Sequence, residues 1–228
     1  MLKWYLDNVK KVLVQPILFY TKLPPGEWTE EPVTFCALTS WVLSLGIALF
    51  VFMNQLVPIG VTLLIQVSGW KLLLVAPVTL VLAFMFFVIT YSILGGVLMA
   101  LFLALFYVLG AASYWASKLV GGKGRYPEAV KSSLYASAVL LAGLFVVLIM
   151  FLVKSGFLSF TNFKIGYNIV YSFCVLYLYG LFAIAARKTQ ELDRSKAFIA
   201  ALLPAFILVI FGLAVNKAIL PKIIDWIK

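Results

Sequence analysis

A glycine-rich segment between two apolar stretches combines the residue types that most often bind phosphate. It reads LVGGKGRYPEAVKSS over residues 119–133, with three glycines around a lysine and an arginine directly after them. Such loops bind nucleotides or phospholipid headgroups through free backbone N–H groups at the start of a helix. A nucleotide-binding P-loop, however, has the spacing GxxxxGK[ST] between a strand and a helix. This segment has neither feature, so the sequence argues against nucleotide hydrolysis.

Two interpretations of the glycine segment remain. In the first, its basic side chains and the free N–H groups of the helix that Pro127 begins hold a lipid phosphate. In the second, the glycines form a tight turn between antiparallel helices, and the local chemistry favours this turn. The candidate lipid- or partner-binding residues are Lys118, Gly121, Gly122, Lys123, Gly124 and Arg125, with Lys196 from a later charged loop.

Residues for catalysis or metal binding are scarce elsewhere in the chain. Histidine is absent, which removes His-based metal ligands, the HExxH pattern and Ser-His catalysis. Paired carboxylates occur at Glu30–Glu31 and at Glu191/Asp193, both in charged loops, where solvated side chains are expected rather than a catalytic pair. The two cysteines lie within apolar stretches and indicate neither a disulfide scaffold nor a metal site. We expect no catalytic residue, no metal and no cofactor, and therefore no enzyme.

The composition indicates an integral membrane protein. Of the 228 residues, 64% are hydrophobic and only 11% are charged, and the mean hydropathy is +1.11. A soluble domain carries about 25% charged residues, so this chain cannot cover a water-exposed surface. The net charge of +10 comes from short basic groups between apolar runs. Such groups orient a protein against anionic lipid, and we expect no nucleic acid partner.

The predicted fold is all-α, a polytopic bundle with five transmembrane helices. One single domain over residues 1–228 is expected, with spans near residues 34–53, 80–117, 132–153, 167–186 and 197–216. The uncharged run 72–117 would extend about 69 Å as one helix, against a hydrocarbon core of about 30 Å. Two spans joined at Gly95–Gly96 would fit by length. One crossing, preceded by a re-entrant or interfacial helix over Val57–Pro77, fits the charges.

The distribution of lysine and arginine decides between these topologies. With a cytoplasmic amino terminus, 12 basic residues lie inside and 6 outside, which agrees with the positive-inside rule. This orientation needs an odd number of crossings between Lys71 and Lys118, and places the carboxy terminus outside. The tail LPKIIDWIK, residues 220–228, resembles a short anchor on the outer interface. We predict the cytoplasmic membrane of a prokaryote as the location.

The first 31 residues form a predicted cytoplasmic arm. Apolar residues between Leu2 and Leu13 follow the spacing of one helical face. We expect an amphipathic helix in the headgroup plane, with Trp4 and Tyr5 as interfacial anchors. The alternative is a solvated amphipathic helix that packs on the bundle.

Small and polar residues in the spans indicate how the helices associate. Small residues at four-residue spacing predict a tight bundle or a homo-oligomer; they are Ser40/Ser44/Ala48, Gly96/Ala100/Ala104, Ser133/Ser137 and Ala197/Ala201/Ala205. Asn168 and Tyr171 in the fourth span either line a cavity or form interhelical hydrogen bonds, and the second is favoured. The predicted spans contain no Asp, Glu, Lys or Arg, which argues against an ion-coupled transporter.

Three segments resemble the Yip family, membrane proteins named for interaction with Ypt/Rab GTPases. The first is QPILFYTKLP, with Pro16, Phe19 and Tyr20. The second is YWASKLVGGKGRYPEAVKSSLYASA, which includes the glycine segment and Tyr135. The third is RSKAFIAALL, at Ser195, Lys196 and Ala197. In this order the segments cover most of the chain.

The resemblance implies a five-span bundle with a cytoplasmic amino terminus and a role in membrane organisation or trafficking through protein partners. The long cytosolic arm and Asp-Leu-Tyr-Gly-Pro motif of eukaryotic members are missing, so we do not expect binding to a Rab-type GTPase. We predict a non-enzymatic adaptor or membrane-organising protein that contacts lipid or a protein partner at its cytoplasmic face. The alternative is a small transporter, channel or lipid-translocating protein, indicated by the segment around Pro58 and Pro77 and by the polar fourth span.

Overall fold

The computed structural model describes residues 1–24, 26–65, 67, 71–218 and 220–222, and these residues contain helices but no strand. The α-helices are α1 (Leu2–Val14), α2 (Pro16–Lys22), α3 (Glu30–Val51), α4 (Val57–Ile65), α5 (Lys71–Leu119), α6 (Tyr126–Ala136), α7 (Gly143–Lys154), α8 (Phe160–Thr189) and α9 (Arg194–Ala218). A π-helical segment, Phe52–Leu56, joins α3 to α4, and a 3₁₀ segment, Ser137–Ala142, joins α6 to α7.

Five helices are long and apolar enough to cross a membrane, which confirms the predicted helical membrane bundle. Two of them are composite, because α3 continues into α4 and α6 continues into α7 without leaving the helical path. The five candidate spans are Glu30–Thr62, Leu73–Leu119, Tyr126–Lys154, Phe160–Thr189 and Arg194–Lys222. Most of the predicted outer anchor at residues 220–228 lies outside the described residues.

We expected a separate re-entrant or interfacial helix over Val57–Pro77, and the described residues of this region do not form one. Residues 57–65 extend the first span, and Pro77 lies inside α5. Pro77 is close to the beginning of α5, where the missing backbone hydrogen bond interrupts little of the helix. Residues 66 and 68–70 lie outside the described part of the chain.

Helix α5 also passes through Gly95–Gly96 without a turn. Gly95 is used for close helix contact instead: a Cβ atom there would lie 2.5 Å from the ring of Trp41 on α3. At 49 residues, α5 is about 73 Å long, so it exceeds the hydrocarbon core of about 30 Å. Its first turns pack beside α4, where Thr79 approaches Gly60, and expose apolar side chains such as Leu80 and Phe84.

The core lies where α3, α5, α6 and α8 meet. Its fully buried side chains include Phe35, Phe106, Val130 and Phe182. The hydroxyl of Ser133 on α6 donates to the carbonyl oxygen of Phe106 on α5 at 2.7 Å. Small residues thus allow the two helices to approach closely, as expected where lipid removes the hydrophobic advantage of association.

Three of the four small-residue stripes are turned inward, and one is not. The residues at the inner stripes include Ser40, Ser133 and Ala201, which are buried. Gly96 and Ala100 on α5 are exposed. The tight bundle therefore accounts for most of the predicted stripes.

The arm packs on the bundle rather than standing free of it. Tyr5 and Val12 on α1 are buried, and the Tyr5 hydroxyl donates to Thr39 Oγ1 at 3.2 Å. Leu2 and Leu6 on the same helix remain more than half exposed, at 70% and 55%. The apolar residues of α1 therefore divide between the bundle and the surroundings. A position in the headgroup plane stays a prediction, which these exposed leucines favour.

Candidate functional site

Three segments that are distant in the sequence meet at one end of the bundle. The Nζ of Lys131 donates to the carbonyl oxygen of Pro24 at 3.0 Å, which joins the arm to α6. The backbone N–H of Lys123 donates to the carbonyl oxygen of Gln190 at 3.0 Å, which joins the glycine segment to the α8–α9 connection. We call this end the charged face, and define it as residues 1–31, 118–131 and 187–196.

The first two glycines end helix α5. Gly121 has a φ of +93°, which side-chain-bearing residues rarely adopt. Its N–H donates to the carbonyl oxygen of Lys118 at 3.1 Å, and the N–H of Gly122 donates to that of Ser117 at 2.8 Å. These two bonds form a Schellman motif, the common glycine-dependent end of an α-helix.

The third glycine docks against the α8–α9 connection. A Cβ atom on Gly124 would lie 2.0 Å from the carbonyl oxygen of Thr189. Gln190, only 1% exposed, donates from Nε2 to the carbonyl oxygen of Arg125 at 3.3 Å. Because the N–H groups of the first two glycines and of Lys123 all bond within the protein, they are not free to bind phosphate. Gly121 and Gly122 thus form the turn of the second interpretation, while the basic side chains and the first N–H groups of α6 stay the candidates for binding a phosphate.

Most basic side chains of the charged face have no carboxylate partner. Among the described residues, the ion-pair distance of 4 Å is met only by Arg125 and Glu128, at 2.9 Å. Lys118 lies over the ring of Tyr114, with its Nζ 5.4 Å from the ring centroid. Lys123 and Lys196 are exposed. With twelve basic and seven acidic residues, the face carries a net charge of +5, and among the described residues most of its basic side chains lie beyond ion-pair distance of a carboxylate.

The predicted motif residues of the arm meet α6 through aromatic contacts. Pro16 begins α2, and the ring of Phe19 meets that of Tyr135 edge to face, with centroids 5.0 Å apart. Tyr135 also contacts Phe35, at 5.1 Å between centroids. Phe19 and Tyr135, more than one hundred residues apart in sequence, thus form one cluster that fixes the arm on the bundle.

A family model described as Yip1 domain matches residues 10–216. The chain belongs to the Yip1 family. The match extends from the middle of α1 into α9, so it includes most of the charged face, four of the candidate spans in full and most of the fifth. This result confirms the resemblance that the three sequence segments carried. No curated protein and no solved structure matches this Yip1 domain.

The fourth-span residues of the Yip1 domain lie away from the charged face. Asn168 and Tyr171 line a groove of about 540 Å³ between α8 and α9, together with Asn216. The hydroxyl of Tyr171 donates to the carbonyl oxygen of Leu208, and Gly212 leaves room for the tyrosine ring. The groove and the interhelical hydrogen bond are thus both present. A second cavity, of about 160 Å³, lies deeper in the bundle and is lined almost entirely by apolar groups.

Sequence reasoning missed two features of the Yip1 site. Gln190 holds the glycine segment, but an isolated glutamine in a charged loop carries no pattern that predicts burial. The second feature is a cavity under the arm, described below, because its walls come from three separate segments. Among the described residues, no three side chains of the metal-binding types are close enough to hold a metal ion.

Proposed function

We propose that this Yip1 protein is a non-enzymatic adaptor or membrane-organising protein that acts through its charged face. The observation that carries the proposal is the convergence of the arm, the glycine segment and the α8–α9 connection. Apart from the buried Lys131 and the ion pair of Arg125 with Glu128, their basic side chains have no carboxylate within ion-pair distance among the described residues. Such a surface attracts anionic lipid headgroups or an acidic protein segment.

The proposed orientation places the charged face in the cytoplasm of a prokaryotic cell. Twelve of the 18 basic residues belong to the charged face, and the positive-inside rule predicts such an excess on the cytoplasmic side. The amino terminus would then lie inside and the carboxy terminus outside. Cysteine-accessibility labelling of substituted Lys3 and Lys154 tests this topology, because they should react from opposite sides of the membrane.

The absence of catalytic chemistry from the sequence supports the non-enzymatic part of the proposal. The chain has no histidine, and the hydroxyls of the buried residues Thr39 and Ser40 donate to backbone carbonyls within their own helix. Such hydroxyls satisfy hydrogen bonds in the bundle and are not activated by a neighbouring base.

Charge removal at the face tests the proposal. A variant with glutamine at Lys123, Arg125 and Lys196 should lose affinity for phosphatidylglycerol or for a cross-linked protein partner. At about 1 kcal/mol per basic residue near an anionic surface, three changes predict a loss on the order of 100-fold. The matched control has glutamine at Lys154, Lys164 and Lys217, which lie outside the charged face.

Native mass spectrometry with phosphatidylglycerol and in-membrane cross-linking are the two measurements. Equal losses in both variants, or no loss in either, would contradict the proposal. High salt should abolish the difference in affinity between the charged-face variant and the unaltered protein, because at 0.1 M salt exposed charges are screened beyond about 10 Å. This result would support the proposal.

A second function, lipid translocation, is favoured by the groove between α8 and α9. Asn168 and Asn216 give this groove polar atoms within otherwise apolar helices. A polar path at membrane depth is what a moving headgroup requires. Reconstituted protein should then scramble a fluorescent phospholipid, and Asn168→Leu should abolish the activity, whereas Ser155→Ala, outside the groove, should not. No scrambling above protein-free vesicles would exclude this candidate.

A further inference from the structure

A cavity of about 300 Å³ lies between the arm and the bundle on the charged face. Helices α1 and α2 form one wall, and the beginning of α3 and the end of α6 form the other. We call it the arm pocket, and its chemistry is carried by Trp4, Lys11, Phe19, Lys22, Glu31 and Tyr135. The volume is at the small end of the range for small-molecule sites, about 300–1,000 Å³. It suits a compact polar group rather than a whole lipid.

The arm pocket contains opposite charges that do not pair with each other. Lys11 and Lys22 line it together with Glu31. None of the three is in an ion pair within 4 Å among the described residues. Charges of opposite sign that face one cavity without meeting leave space for a ligand that carries both signs. The lysines suit a phosphate and the carboxylate suits an ammonium group.

Aromatic rings complete the ammonium side of the pocket. Trp4, Phe19 and Tyr135 line the cavity, and the last two rings hold each other edge to face with centroids 5.0 Å apart. Phe35, fully buried, packs behind them against both Trp4 and Tyr135. Aromatic faces attract ammonium and quaternary ammonium groups through the ring quadrupole. These ring contacts hold the aromatic side chains of the arm pocket against one another, and their chemistry suits an ammonium group.

We infer that the arm pocket binds the headgroup of a zwitterionic phospholipid, an ammonium group joined to a phosphate by a two-carbon linker. Lys11 and Lys22 hold the phosphate, and Glu31 with the aromatic rings holds the ammonium group. Leu18 lines the same cavity and is 53% exposed. Leu2, Leu6 and Ile17, elsewhere on the arm, are also exposed. These apolar side chains give the acyl chains a place to lie outside the pocket.

This inference assigns one class of lipid headgroup to the lipid binding that the proposed function includes. It rests on the proposed function only in assuming that the charged face lies at a membrane surface. The pocket residues differ from the three basic residues, Lys123, Arg125 and Lys196, that the charge-removal variant of the proposed function changes. Each assignment can therefore fail without the other.

The test measures lipid binding to the full-length protein by native mass spectrometry. The probes are phosphatidylethanolamine, phosphatidylcholine and phosphatidylglycerol with identical acyl chains. Glu31→Gln should weaken the two zwitterionic lipids on the order of tenfold and leave phosphatidylglycerol unchanged, because it removes the negative charge opposite the ammonium group and keeps an oxygen that can accept from Tyr135. Glu30→Gln, the adjacent carboxylate that does not line the cavity, should change nothing. Both side chains are exposed, so folding is not at risk.

A second pair of variants tests the phosphate side. Lys11→Gln should weaken all three lipids, whereas Lys10→Gln, the neighbouring lysine outside the pocket, should weaken none. Soluble glycerophosphoethanolamine should displace phosphatidylethanolamine, since the pocket holds the headgroup.

Three results would overturn the inference. The first is phosphatidylglycerol binding as tightly as the zwitterionic lipids in the variant with glutamine at Lys123, Arg125 and Lys196, where the charged face contributes less. The second is an equal effect of Glu31→Gln and Glu30→Gln. The third is binding of the soluble headgroup without binding of the lipid, which would assign the pocket to a free metabolite. A loss of zwitterionic binding in Glu31→Gln alone, with anionic binding at the charged face intact, supports the pocket and leaves the proposed function separately testable.

Discussion

Replacing Gly95 with alanine should destabilise the bundle, whereas the same change at the adjacent Gly96 should not. A Cβ atom on Gly95 would lie 2.5–2.8 Å from three ring atoms of Trp41, while one on Gly96 would meet nothing within 4 Å. Trp41 is held in turn by the ring of Tyr91, with centroids 5.0 Å apart. The indole can yield to the new methyl group only by disturbing that contact.

The expected difference in melting temperature follows from the difference in the free energy of unfolding between the two variants. Both gain the helix propensity of alanine over glycine, about 1 kcal/mol, so this contribution cancels in the comparison. Overpacking against a held ring costs about 1–3 kcal/mol. For a chain of this size, each kcal/mol corresponds to roughly 2–4 °C in melting temperature. Gly95→Ala should therefore melt about 2–12 °C below Gly96→Ala.

The measurement is thermal unfolding of purified protein in one detergent, followed by fluorescence-detected size exclusion. Trp41→Ala supplies the control background, because without the ring Gly95→Ala should behave like Gly96→Ala. Equal melting temperatures for the two alanine variants in the original background would refute the reasoning.

Three further outcomes are expected. Gly124→Ala should separate the glycine segment from the α8–α9 connection, since its Cβ would lie 2.0 Å from the carbonyl oxygen of Thr189; faster amide hydrogen exchange at residues 120–126 is the measurement. Burial raises the pKa of the Tyr20 phenol, so its contribution to stability is complete below the unfolded value near 10. It is lost as pH rises above that value, because the unfolded phenol ionises first; the melting temperature of Tyr20→Phe should therefore decline less than that of the unaltered protein from pH 9 to 11. Gly212→Ala should lower the melting temperature, because the new Cβ atom would overlap the ring of Tyr171. Gly180→Ala should not lower it, because a Cβ atom there would meet nothing within 4 Å.

The span count was predictable because charge and hydropathy act over whole segments. Lysines and arginines mark where the chain leaves the hydrocarbon, and the glycine segment marks the end of α5, where Gly121 takes a positive φ. The course of residues 57–77 was not predictable, since α5 is apolar on all sides and its periodicity does not mark a beginning. The role of Gly95 was not predictable either. A glycine pair in a sequence is typical of a turn, but here Gly95 allows close contact between α5 and Trp41 of α3.

The candidate site was predictable only in its charge. Basic loops identify the charged face, but the sequence does not show which side chains the protein itself neutralises. The arm pocket depends on tertiary contacts between Phe19 and Tyr135 and on the unpaired state of Glu31. Such contacts join residues that no local pattern connects, because a side-chain contact between distant segments leaves no periodic signal.

The contacts of the arm have a consequence for the assembly of the protein during synthesis. The arm emerges first, yet Tyr20 bonds to the carbonyl oxygen of Ser132, 112 residues later, and the carbonyl oxygen of Leu13 accepts from the hydroxyl of Tyr177, 164 residues later. At a translation rate of roughly 5–20 residues per second, Leu13 waits about 10–30 s for its partner. The arm must therefore wait at the nascent chain's membrane surface with Val12 still uncovered. The arm can complete these contacts only after most of the fourth span has been synthesised. Its full docking therefore requires a nearly complete bundle.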